Sequence, residues 1–180
     1  MSFHKYILVA LVLVLSACND LYPSGEDKRA PVDPNTIGSS VGQMAPDFDL
    51  SDTEDNNVTM FTELFNHDAI VLYYTMWCPI CDSHMSHMRT QVIPNYPNVS
   101  FLIIDYVSGT VVLSRDAQLS NGYADLTVLV NNIPQDVLSL YEATMGTTVV
   151  IENAGSHGIV RMNEDYKDSV KLTATLDALP

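Results

Sequence analysis

The chain opens with an unbroken apolar run, Ile7 to Leu15, and then shows no apolar periodicity until about residue 44. Nine apolar residues make about 14 Å of helix, short of a bilayer core of about 30 Å. The run, with Lys5 before it, is read as a secretion signal. From residue 44 the pattern alternates between strand and helix periods. Asp47 to Leu50 and Asn57 to Phe61 alternate polar and apolar around a turn signal, Asp55-Asn56-Asn57. Ala69 to Thr75 and Val99 to Asp105 are continuous apolar runs, as expected of strands buried on both faces. A helix is expected from Pro79, where the first turn needs no N–H, to about Ile93 before Pro94. Further helices are expected over residues 110–120, 134–143 and 168–179. A short strand is expected at Leu126 to Val130, and a hairpin joins 147–151 to 157–162 around Asn153-Ala154-Gly155. This order predicts an α/β fold with a central mixed sheet flanked by helices.

Composition narrows the picture. The 180 residues carry a net charge of −14, and removal of a segment containing Lys5 leaves seven basic against 22 acidic residues, a charge of −15. Such a surface argues against nucleic acid and anionic lipid as ligands and favours solubility. About 140 residues follow the N-terminal region, enough for one domain with one core, and a monomer is expected. The acidic group Asp49, Asp52, Glu54, Asp55 lacks the glycine and spacing of a calcium loop and is read as a solvated turn.

The chemistry is concentrated in cysteine. There are three, and two form Trp77-Cys78-Pro79-Ile80-Cys81. A CxxC at a strand-to-helix junction is a redox arrangement, with a structural disulfide as its bland counterpart. Cys78 should lie just before the helix that Pro79 opens, where free N–H groups and the helix dipole favour thiolate. The third, Cys18, closes Leu15-Ser16-Ala17-Cys18. This tetrapeptide resembles the bacterial lipobox, which implies residues 1–17 as signal peptide and Cys18 as a lipid anchor in the membrane. Asn19 after it leans the reading to an outer-membrane anchor facing the periplasm. Residues 18–40, with Pro23, Pro31 and Pro34, then read as an extended tether, and 41–180 as the domain.

Three segments together resemble the thioredoxin fold. More narrowly, they resemble the membrane-anchored thiol–disulfide oxidoreductases of the TlpA/ResA type, within the redoxin and AhpC-TSA superfamily. They are Gly42-Gln43-Met44-Ala45-Pro46-Asp47-Phe48-Asp49-Leu50, the buried strand leading into Trp77 to Cys81, and Gly146 to Glu152 followed by Gly155. The resemblance implies Cys78 as attacking thiol, Cys81 as resolving thiol, and Trp77 and Pro79 shaping the site. Met145, Gly146 and Thr147 would form the substrate-binding loop. It further implies a disulfide-containing client protein, a membrane electron donor, and no cofactor beyond the Cys78–Cys81 disulfide.

Three positions depart from that pattern. Gly146 stands where the family has a cis-proline, which leaves open wider access to the sulfurs with weaker peptide docking, or a loop drifted from function. Leu72 occupies the position, six before Cys78, of the buried acid of thioredoxins. His84 replaces a glutamate three residues after Cys81, on the helix face near the dithiol. His84 is either a substitute proton acceptor or a surface histidine. Cys78, Cys81 and His84 also make a candidate copper or zinc set, which Met85 or Met88 would extend, although methionines so placed are more often core or groove residues than ligands. A peroxidase is a further alternative, since Thr75 lies three residues before Cys78, although Val71 replaces the proline that motif carries.

Overall fold

The computed structural model describes residues 31–132 and 136–180. Cys18, expected as a lipid anchor, and the segment expected as a signal peptide lie outside these residues. Strand β1 (Asp49–Ser51) pairs antiparallel with β2 (Asn57–Thr59) in a small ribbon. The main sheet holds β3 (Ala69–Thr75), β4 (Val99–Asp105), β5 (Thr127–Val130), β6 (Thr147–Asn153) and β7 (Gly158–Asp165), in the order β5-β4-β3-β6-β7. β3, β4 and β5 run parallel, and β6 is antiparallel to β3 and β7. The α/β fold with a central mixed sheet, expected from the alternation of periods, is the one observed.

The helices are α1 (Met60–Asn66), α2 (Pro79–His87), α3 (Val111–Ser120), α4 (Val137–Leu140) and α5 (Ser169–Asp177). Each starts at a side chain that accepts a hydrogen bond from a first-turn N–H: Thr59, Cys78, Thr110, Asp136 and Asp168. α2 passes into one π turn (Met88–Val92) and a 3₁₀ turn (Ile93–Asn95) that contains Pro94.

Some elements differ from their sequence expectation. Asn57 to Phe61 alternates like a strand, yet the strand stops at Thr59, whose hydroxyl accepts from Thr62 N–H and turns the chain into α1. Of the helix expected over 134–143, residues 134 and 135 lie outside the described residues, and the described part holds a single turn, Val137–Leu140. Within the expected tether, Ile37 bridges to Met44, and Ser39 C=O accepts from the Asn163 side chain at 3.0 Å.

Strand β3 is the axis of the molecule, with all seven residues buried. Its alternate side chains feed two cores. Ile70, Leu72 and Tyr74 pack with α1, α4 and the segment around Phe48. Val71 and Tyr73 face the other way, onto Met85, Met88, Leu172 and Leu176 of α2, the π turn and α5. Burying each large apolar side chain stabilises by about 1.5–3 kcal/mol, so the strand's register is strongly fixed. Both sheet edges are covered. Gly42 and Ala45 N–H groups donate to Val160 and Gly158 C=O on β7 (2.8 and 2.9 Å), and Thr53 N–H donates to Val128 C=O on β5 (3.0 Å). The Gly42 to Leu50 segment is therefore an edge cover and core plug rather than part of the chemistry.

Candidate active site

β3 ends at Thr75 and delivers Met76 and Trp77 to the start of α2. Trp77 has φ +59°, an uncommon conformation for a bulky residue. Two bonds hold it: its N–H donates to Thr75 Oγ1 (3.1 Å), and its indole N–H donates to Asp105 Oδ2 (2.8 Å). Asp105, at the end of β4, also accepts from the Ser114 hydroxyl (2.7 Å) and from Val107 and Ser108 N–H (3.0 and 3.1 Å). Burial pushes this carboxyl up, but the bonds from Ser108, Trp77, Ser114 and Val107 outweigh burial and hold it below its ordinary value.

Cys78 caps α2. Its sulfur accepts from Cys81 N–H at 3.2 Å and lies 2.8 Å from the Cys81 sulfur. Both residues are free thiols, and closure to a disulfide bond of about 2.05 Å asks for a shift of under about 1 Å. Cys78 is half-buried, whereas Cys81 is 0 % exposed. Burial pushes the Cys81 thiol up. Hydrogen bonds from Cys78, from the backbone at Met76 and Cys78, and from the Thr75 hydroxyl bring it below the ordinary value. The accessible sulfur is therefore Cys78, and the buried one is already set in a field that favours thiolate. Met76, Ile80 and Val107 are exposed apolar neighbours in sequence of these groups.

Leu72 lies in the α1 and α4 core, on the face opposite Tyr73. His84 is half-buried, and its Nδ1 is hydrogen-bonded to the Tyr73 hydroxyl at 3.0 Å. Its ring also packs on Tyr166 at a centroid distance of 5.0 Å. Burial first, and the charge of His87 second, hold His84 below its ordinary value. His87 in turn pairs with the Tyr166 hydroxyl at 3.0 Å. Sequence reasoning singled out His84 but missed Tyr73 and Tyr166. Tyr73 is hidden in an apolar run, and Tyr166 lies far along the chain.

Gly146 lies at φ +84°, a conformation open to glycine. Its N–H donates to Tyr74 C=O (3.0 Å), its C=O accepts from Tyr166 N–H (2.8 Å), and a Cβ there would meet the His84 ring at 3.6 Å. Thr147 Oγ1 is engaged by Thr144 N–H (2.9 Å). Half-buried Met145 has no backbone hydrogen bond among the described residues. The loop is thus tied to β3 and to the end of β7, with one residue left to present its backbone.

Among the described residues no group of three or more His, Cys, Asp or Glu side chains converges on one point, and His84 Nδ1 is turned to Tyr73. Met85 and Met88 are core residues. Thr75 bonds Trp77 and Cys81. Among the described residues no helix is long and apolar enough to cross a membrane.

With this geometry in hand, comparisons with known proteins place the fold. The AhpC/TSA family matches residues 41–105. No curated protein matches the sequence. A thiol–disulfide oxidoreductase from Bacteroides fragilis superposes with a TM-score of 0.60 at 17 % identity, over 77 % of this chain and 100 % of the other. A secreted disulfide oxidoreductase of Mycobacterium tuberculosis, homologous to E. coli DsbE, gives 0.53 at 18 %, over 73 % and 96 %. A thioredoxin-like protein from Aeropyrum pernix gives 0.55 at 14 %, over 73 % and 88 %. The chain has a thioredoxin-like fold, and the part of it that runs from the β7 edge cover through the dithiol to the end of β4 matches the AhpC/TSA family.

Proposed function

We propose that this protein is a thiol–disulfide oxidoreductase that exchanges electrons with protein disulfides through Cys78 and Cys81. The observation that carries the reading is the asymmetry of the pair: two thiols 2.8 Å apart at a helix start, one half-exposed and one fully buried. The Cys78 thiolate attacks one sulfur of a client disulfide. That S–S bond breaks, the distal client sulfur leaves as thiolate, and a Cys78–client mixed disulfide forms. Cys81 then attacks Cys78 Sγ, the Cys78–client bond breaks, and the second client thiolate leaves. The dithiol has become a disulfide and two electrons have passed to the client; the two protein thiols have given their protons up, and the two client thiolates take protons from solvent. Met145 offers the backbone for a client strand beside the sulfurs, with Gly146 and Thr147 fixing the loop. The lipobox-like segment supports a protein tethered through Cys18, facing the periplasm and recharged by a membrane electron donor.

The test is a redox titration of the chain carrying Cys18→Ser, with metal content assayed on the same sample. A reversible two-electron couple in metal-free protein is expected. Cys78→Ser should abolish reduction of a protein disulfide, and Cys81→Ser should trap the mixed disulfide, visible as a mass adduct. Stoichiometric metal that blocks oxidation of Cys78 and Cys81 would overturn the reading, and so would turnover of hydroperoxide without any disulfide exchange.

A further inference from the structure

The resolving step needs Cys81 to lose a proton, and its sulfur is 0 % exposed. No carboxylate takes that proton from the position of Leu72. Among the described residues, the side chains that bond the sulfur are Cys78, Thr75 and Tyr73, and Tyr106 acts on it through charge alone. Cys78 is occupied in the mixed disulfide at that moment. Thr75 is fully buried, and its oxygen already accepts from Trp77 N–H. Tyr73 differs, because its hydroxyl also bonds His84 Nδ1 at 3.0 Å, and His84 is half-exposed.

We propose that Tyr73 carries the proton of Cys81 to His84 in the resolving step, so that a phenol and an imidazole replace the buried acid. The inference rests on the thiol–disulfide reading above. The Cys81 thiol gives its proton to the Tyr73 oxygen while the Tyr73 proton moves to His84 Nδ1. The phenol ends as it began, Cys81 becomes a thiolate and His84 an imidazolium. The thiolate attacks Cys78 Sγ, and the electron pair of the Cys78–client bond leaves on the client sulfur, which takes a proton from solvent. His84 returns its own proton to solvent. The transfer is concerted: burial and the two neighbouring sulfurs push the phenol well above its ordinary value, so a free phenolate does not form. The groups that face His84 are Tyr73 from β3, Tyr166 after β7 and His87 one turn along α2, with Asp168 acting on Tyr166. Among the described residues no carboxylate bonds His84, so the imidazole is neutral and ready to accept at neutral pH.

The probe is 5,5′-dithiobis(2-nitrobenzoate), mixed in a stopped-flow with the full chain carrying Cys18→Ser. Attack by Cys78 releases one equivalent of thionitrobenzoate, and resolution by Cys81 releases the second. Tyr73→Phe should retain the first phase and slow the second on the order of 10²-fold, the lower range for a positioned proton-transfer group. His84→Gln, at a half-exposed site, should slow the second phase by a similar factor. The double variant should be no slower than either single one, because both residues act in one chain. The wild-type second phase should rise with pH as His84 loses its proton, and this rise should vanish in Tyr73→Phe. A second phase at the wild-type rate in either variant, or fully additive losses in the double variant, overturns the relay. Absence of the first phase in the parent protein instead dismisses thiol exchange, and the relay with it.

Discussion

Thr148 pairs across the sheet with Tyr73, is 0 % exposed, and has a hydroxyl with no hydrogen-bond partner among the described residues. A buried hydroxyl without a partner costs about 1–3 kcal/mol. Thr148→Val keeps the shape and removes the polar atom, so it should raise the urea midpoint by an amount equivalent to about 1 kcal/mol or more. An unchanged or lower midpoint would show that the hydroxyl is satisfied in solution. The residue scale is also where the sequence was most deceptive. Cys78, Cys81 and Trp77 announce themselves by spacing, and His84 by a departure from the pattern that the chain otherwise resembles. Tyr73 carries no such mark, because within Ala69 to Thr75 it reads as one more member of a buried strand. Its importance comes from the hydroxyl at the end of an apolar ring, which meets a histidine eleven positions away once α2 packs on β3.

At the level of elements, the decisive piece is the turn that ends β3 and opens α2. Pro79 at the helix start and the absence of a competing cap leave Cys78 as the cap, and this single placement makes one sulfur accessible and the other buried. The loop before β6 is the other half of the site. Gly146 holds φ +84° and gives its N–H to Tyr74 C=O. A proline there has φ near −65° and no N–H, so it can supply neither this conformation nor the bond to Tyr74. Gly146→Pro is expected to destabilise by about 3 kcal/mol, read as a lower thermal midpoint with slower reduction of a protein disulfide. A midpoint equal to the parent's would mean that the loop rearranges freely around the dithiol. Gly146→Ala is milder, costing about 1–2 kcal/mol for the left-handed backbone alone, since its Cβ meets the His84 ring at an ordinary 3.6 Å.

For the molecule as a whole, Asp105 and His84 near the site tie stability to pH on the acid side, and both act in the same direction. Asp105 is held below its ordinary 3.8. The folded chain therefore binds fewer protons than the unfolded one, and the stability Asp105 contributes is complete above that value and lost as pH falls through the folded one. His84 is held below its ordinary 6.5, so the unfolded chain again takes up more protons, and acidification through the histidine range also lowers stability. Urea midpoints measured against pH should fall in two stages. Asp105→Asn should flatten the lower stage, and His84→Gln should remove its share of the upper one. An Asp105→Asn curve parallel to the parent's at low pH would contradict this account.

The sequence by itself determined the order of strands and helices, the two-faced burial of β3, the dithiol and its position at a helix start. These follow from periods of 2 and 3.6 and from spacing along a few residues, which are local properties of a chain. It misplaced what depends on competition between neighbours. Residues 57–61 alternate like a strand, but one hydroxyl at Thr59 caps a helix there, and in the described part of the helix expected over 134–143 one turn stands on Asn131 and Asp136, which hold the N–H groups of Val137 and Ser139. Tertiary structure alone decided that Leu72 and Tyr73 face opposite cores, that Asp105 steadies Trp77, and that Gly146 lies beneath His84. Each of these joins residues far apart in sequence, and sequence spacing holds no information about such a meeting until two elements pack.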